Sequence, residues 1–144
     1  RYPGVGYHQK VSSETLTGKA RRDARDDALA FVRMFMDLTC PCVAIENPVG
    51  AISSAIRQPD QYIQPYEYGH DASKKTGLWL KGLPLLKPTK MVAPRVVLGR
   101  KRWANQTDSG QNKLSPGDNR WRERSKTYQG IADAMASQWG GGKL

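Results

Sequence analysis

Glu46 and Asn47, followed by Pro48, are the residues of this chain best suited to grip a polar ligand. A carboxylate accepts from an exocyclic amine such as that of cytosine, and a primary amide both donates and accepts. Asn before Pro is held toward extended backbone. The spacing therefore predicts that the chain leaves a strand here without turning at once into helix, with Glu46 and Asn47 at the sheet edge. Glu46, Asn47 and Pro48 are the candidate catalytic residues. A salt bridge from Glu46 to a nearby Arg and a helix cap by Asn47 account for the same residue types structurally.

A second group follows in Tyr68-Gly69-His70-Asp71-Ala72-Ser73-Lys74-Lys75-Thr76. Gly69 permits a tight turn, and two lysines followed by a hydroxyl can hold a phosphate. His70, Lys74, Lys75 and Thr76 are the candidate substrate-binding residues; a surface turn with ordinary lysines is the plainer account. The third group is a basic tract in which arginines flank tryptophans, Arg100-Lys101-Arg102-Trp103 and Arg120-Trp121-Arg122-Glu123-Arg124. Arg contacts phosphates and base edges, and Trp stacks on unpaired bases. Arg95, Arg100, Lys101, Arg102, Arg120, Arg122, Arg124 and Lys126 are the candidate DNA-binding residues, against a solvated loop with two packing tryptophans.

The whole chain leans the same way. Its 144 residues carry 23 Lys+Arg against 13 Asp+Glu, a formal charge of +10 and a pI near 9.9. Such a surplus favours an anionic partner, of which nucleic acid is the commonest. No apolar run approaches the ~20 residues of a membrane span, and no signal-peptide apolar region opens the chain. Cys40 and Cys42 flank Pro41, a spacing that strains a disulfide, and His8 and His70 do not complete a metal site. No metal is expected. A zinc deaminase is excluded because Val43-Ala44-Ile45 follows Pro41-Cys42 and no H-x-E occurs.

Several elements must position these groups. Residues 1–17 read as an extended segment. From Gly18, the stripe Ala20, Ala24, Ala28, Phe31, Phe35 and Leu38 predicts an amphipathic helix, stopped by Pro41. Cys42 to Ile45 predicts a short buried strand which, after a long helix, suits a parallel sheet. A short helix is expected over 52–57, a strand over 62–65 and another over 76–82. Residues 83–127 read as irregular, broken by prolines. A final helix is expected from Gln129 to Trp139, closed by Gly140 to Gly142.

Four runs taken together, Ile45-Glu46-Asn47-Pro48, Gln64-Pro65-Tyr66-Glu67-Tyr68-Gly69-His70, Lys74-Lys75-Thr76-Gly77-Leu78-Trp79-Leu80-Lys81-Gly82-Leu83-Pro84 and Arg120 to Ala132, resemble the C-terminal half of a phage and bacterial family described as DNA cytosine methyltransferases. The resemblance covers about residues 18–140. It implies that Glu46 and Asn47 grip a flipped cytosine, that Lys74 and Lys75 lie in a later basic loop, and that the last helix closes the cofactor side. S-adenosylmethionine is the cofactor it implies, bound by an upstream segment together with the nucleophile loop. Neither segment is expected within these residues, and Cys42 is rejected as the nucleophile. Pro48 departs from the apolar residue usual after Glu-Asn.

The expected fold class is α/β, a partial Rossmann-like methyltransferase fold of long helix, short strands and C-terminal helix, with an extended basic irregular region. The expected organisation is an extended segment at 1–17, a methyltransferase-like core at 18–82, a DNA-contacting region at 83–127 and a closing helix and tail at 128–144. The expected partners are DNA and either an N-terminal fragment or a second copy, with no membrane. The expected setting is the cytoplasm of a bacterium or phage-infected host. A non-catalytic nucleic-acid-binding protein that retains the half-fold is the alternative.

Overall fold

The computed structural model describes residues 16–114 and 120–141, without the side chains of Trp121 and Glu123. The extended segment expected before residue 16, the tail after residue 141 and the stacking expected of Trp121 lie outside the described residues. The fold is mixed α/β. In chain order it comprises α1 (Gly18–Met36), β1 (Val43–Pro48), α2 (Ala51–Ala55), β2 (Gln61–Ile63), a 3-10 turn (Pro65–Glu67), β3 (Thr76–Lys81), β4 (Arg95–Val97), β5 (Arg100–Arg102), α3 (Arg120–Ser125) and α4 (Gln129–Trp139).

The main sheet has three strands in the order β1-β3-β2, and both neighbours run antiparallel to β3. The parallel sheet expected from the helix-to-strand sequence does not form. β1 and β2, joined through α2, do point the same way. β3 then inserts between them, so neither finds the other's backbone.

Strand β3 is buried on both faces, and alternation divides its side chains between two clusters. Leu78 joins Ile63, Tyr68, Leu86, Ile131 and Ala134, which places α4 on one face. Trp79 joins Leu29 and Ile52, flanked by Val32, Met36 and Ile45, which places α1 and α2 on the other. The result is a sheet layered between helices. Trp79 Nε1 donates to the Arg57 carbonyl at 2.9 Å, so its one polar atom is satisfied within the core. Its ring folds back over Gly77, where a Cβ would lie 2.9 Å from the indole.

Helix α1 forms where expected, from an alanine-rich stretch without β-branched residues before Val32. Its buried stripe differs from the expected one. Leu29, Val32 and Met36 face the sheet, while Phe31, Phe35 and Leu38 are exposed. The helix carries two adjacent apolar stripes, and the one that fits beneath α2 and Trp79 is buried. Phe31 and Phe35 instead pack edge-on against each other, centroids 4.8 Å apart.

Two further differences bear on the candidate residues. Glu46-Asn47-Pro48 does not end the strand but belongs to it, pairing with Leu78, Gly77 and Thr76. Extended backbone before Pro continues a strand, and β1 is an edge strand that tolerates the missing N–H. The region 83–127 is also less irregular than expected: it contains the β4–β5 hairpin and α3. Helix α4 spans the expected residues. No described helix is long and apolar enough to cross a membrane.

Candidate nucleic-acid interface

Register decides which way Glu46 faces. Cross-strand partners share a face, so Ile45 opposite Trp79 points toward α1 and α2, and Glu46 opposite Leu78 points toward α4. The carboxyl therefore lies half-buried at the sheet end nearest the start of α4. Beside it, Asn47 Nδ2 donates to the Pro48 carbonyl at 2.9 Å, which turns the amide along the strand.

The lysine loop enters from the neighbouring strand. Its backbone is clamped on two sides before β3 begins. Gln64 Oε1 accepts from the Lys74 N–H at 2.9 Å. Asn105 accepts from the Ser73 N–H through Oδ1 and donates to the Ser73 carbonyl through Nδ2, each at 2.9 Å. The loop is thus held against both the 3-10 turn and the segment after the hairpin. Lys74 Nζ crosses to the Lys126 carbonyl at 3.0 Å, tying the loop to the link between α3 and α4. Lys75 Nζ sits 4.0 Å from the centre of the Tyr62 ring.

These elements enclose a cleft of about 1030 Å³. Glu46, Asn47, Pro48, Lys74, Lys75, Arg124 and Lys126 line it, so candidates from all three groups converge. Ser73, Asn105, Asn112, Tyr128 and Gln129 line it too and were not expected from the sequence. Tyr128 precedes the last helix directly, a place where a polar residue in contact with the cleft could have been sought. Nothing local marks Asn105.

Burial pushes the Glu46 carboxyl above its ordinary value, and the positive charge of Lys74 offsets this in part. The Lys74 ammonium is pushed down, first by burial and then by the nearby Arg124 charge, with Glu46 opposing. Both groups are therefore dominated by lost hydration. They feel each other's charge, yet the ion pairs among the described residues lie elsewhere, at Lys19–Asp23, Arg57–Asp60 and Arg95–Asp108. The Glu46 carboxyl therefore has no ion-pair partner among the described residues, while the partly dehydrated Lys74 ammonium keeps its hydrogen bond to the Lys126 carbonyl.

Other candidates lie outside the cleft. His70 Nε2 accepts from the Gly130 N–H, and Thr76 is buried with its hydroxyl donating to the Lys74 carbonyl. Both serve the fold. Arg95, Arg100, Lys101 and Arg102 belong to the separate hairpin, and Arg120 and Arg122 lie on α3 without lining the cleft. Trp103, expected to stack on a base, stacks on Tyr66 with centroids 4.4 Å apart. Cys40 and Cys42 are free thiols, bonded weakly to the carbonyls of Cys42 and Gly82.

The cleft suits a ligand that joins an amine-bearing ring to phosphate. S-adenosylmethionine would find Lys74, Lys75, Arg124 and Lys126 for its carboxylate but one carboxyl, Glu46, for its sulfonium and ammonium cations, so the lining is weighted against its net positive charge. Comparison of the chain with protein-family models, curated proteins and solved structures gave no match.

Proposed function

We propose that this chain is the target-base and DNA-binding portion of a DNA cytosine methyltransferase-like protein, with the methyl donor held outside the cleft described above. One observation carries the reading: a half-buried Glu46 carboxyl lines one cleft together with Lys74, Lys75, Arg124 and Lys126, and Lys74 is the cation whose charge it feels. Cytosine presents an amine donor at N4 and an acceptor at N3. A carboxylate answers the first, and a carboxyl held toward its protonated form can answer both. The four cations would take the phosphates on either side of the base. The base edge is inaccessible in the stacked duplex, so the nucleotide must be flipped to enter. The reading implies a partial Rossmann-like fold, with which the helices on both faces of the sheet agree and the antiparallel pairing of β1 and β2 with β3 does not.

Glu46→Leu tests the assignment, because Gln would keep both an acceptor and a donor for the base edge. The variant should bind cytosine-free duplex as the parent does and lose affinity for a duplex whose cytosine is unpaired and ready to flip. Equal losses on the two duplexes would contradict a base-gripping role. The alternative, a non-catalytic nucleic-acid-binding protein, separates from this reading in a methyl-transfer assay with the upstream segment supplied. Transfer that needs both pieces supports the methyltransferase reading.

A further inference from the structure

The geometry of the β4–β5 hairpin points to a DNA-distorting wedge, in which Leu98 inserts between stacked base pairs while Arg100 and Lys101 hold the flanking phosphates. The inference rests on the DNA-binding reading above and adds a second contact remote from the cleft.

The hairpin turns through two residues, Leu98 and Gly99, between the paired residues Val97 and Arg100. Both have positive φ, 48° and 73°. Two-residue turns of this kind favour Asn or Gly at the first position, because a larger L-residue there costs about 1–2 kcal/mol. Leu98 is also 97% exposed, and Val96 beside the tip is 68% exposed. Leu98 therefore carries backbone strain and apolar exposure together, and no contact among the described residues offsets either. An apolar side chain held at such a tip is explained by a partner that buries it.

Charge identifies the partner. Between residues 87 and 107 the chain has six Lys or Arg and no Asp or Glu. Cross-strand pairing divides the hairpin's cations by face. Arg95 and Arg102 pair with each other and turn to the following loop. Arg95 bonds the Asp108 carboxylate and, at 2.6 Å, the Gln106 carbonyl. Arg102 Nε donates to the Asp108 carbonyl at 2.9 Å. These two residues, expected to contact DNA, brace the hairpin from behind. Val96 and Lys101 share the opposite, exposed face, and Arg100, paired with Val97 on the Arg95–Arg102 side, flanks the tip from the other side. A braced ribbon with cations along it and an aliphatic tip matches the way architectural proteins kink a duplex by wedging an apolar side chain between base steps. Single-stranded DNA would call for an aromatic platform, and residues 95 to 102 contain no aromatic side chain.

The test uses the full chain and a duplex of A·T pairs carrying 2-aminopurine at successive positions, which offers the cleft no cytosine. Binding by the parent chain should raise the fluorescence several-fold at one step. Leu98→Ala should bind within about threefold of the parent and leave the fluorescence at the free-duplex level. Leu98→Met should restore it. Leu98→Asn, which relaxes the turn, should lose the signal while the chain becomes more stable, so that loss of folding does not explain the result. The Arg100→Ala, Lys101→Ala double variant should lower the slope of log affinity against log salt by about two. Parent binding with fluorescence unchanged by Leu98→Ala overturns the wedge and leaves the DNA reading intact. No salt-dependent binding to any duplex overturns both. Leu98-dependent binding to polyglutamate in preference to duplex overturns the wedge in favour of an acidic protein partner.

Discussion

His70 Nε2 accepts a hydrogen bond from the backbone N–H of Gly130 at 2.9 Å, across 60 residues of sequence. The first turn of a helix leaves its N–H groups without helical partners, and this imidazole satisfies one of them at the start of α4. The approach is close enough to exclude a side chain: a Cβ on Gly130 would lie 1.9 Å from the Tyr68 carbonyl oxygen. The contact sets the distance between the loop before β3 and the helix that closes the cleft.

Gly130→Ala should therefore cost about 3 kcal/mol or more in urea unfolding, because backbone rather than a flexible side chain must yield. His70→Ala should cost about 1–2 kcal/mol by leaving a half-buried N–H unpaired. His70→Gln, which keeps an acceptor, should cost less than His70→Ala. If His70→Ala left stability unchanged but abolished binding to DNA, the structural role assigned to His70 would be wrong.

Stability should depend on pH through Glu46. Burial raises its folded-state pKa above the ordinary 4.5, so folding favours the protonated form. That contribution is complete below pH 4.5 and is lost as pH rises through the folded value. At pH 7 the ionised carboxyl opposes folding, and Glu46→Gln removes the opposition. The variant should melt higher than the parent at pH 7, and the difference should vanish below pH 4.5. A lower melting temperature at pH 7 would indicate that the Lys74 charge outweighs burial.

Salt titrations should separate the cations of the cleft from those of the hairpin brace. Lys74→Ala and Arg124→Ala should each reduce the slope of log affinity against log salt by about 0.9, the value for one phosphate contact on duplex DNA. Arg95→Ala should instead speed amide exchange through β4 and β5, since its partners are Asp108 and the Gln106 carbonyl. A salt slope that falls for Arg95→Ala with exchange unaltered would return that residue to the DNA contacts.

Gly77→Ala should disturb the other side of the sheet. The added methyl would meet the Trp79 ring at 2.9 Å and the Pro59 Cβ at 3.2 Å. Displacing a fully buried indole costs about 1–3 kcal/mol. Near-ultraviolet circular dichroism should report the changed environment of Trp79, with the α4 face unaffected.

Local pattern by itself determined the two long helices, the three strands of the main sheet to within a few residues, and the residue types able to hold an amine and a phosphate. These depend on spacing along one segment, which the alternation and helical periods expose. The tertiary structure decided the rest. Whether β1 met its neighbour parallel or antiparallel depended on β3 inserting between β1 and β2. Which stripe of α1 was buried depended on the fit beneath Trp79 and α2. The hairpin was hidden because Leu98 stands where its turn favours Asn or Gly. Among the chemical residues, only packing brought Glu46 and Lys74 to one cleft and turned His70, Arg95 and Arg102 away from it, onto backbone groups or Asp108. Identical side chains acquire different roles when one is left facing open space and another is satisfied within the fold.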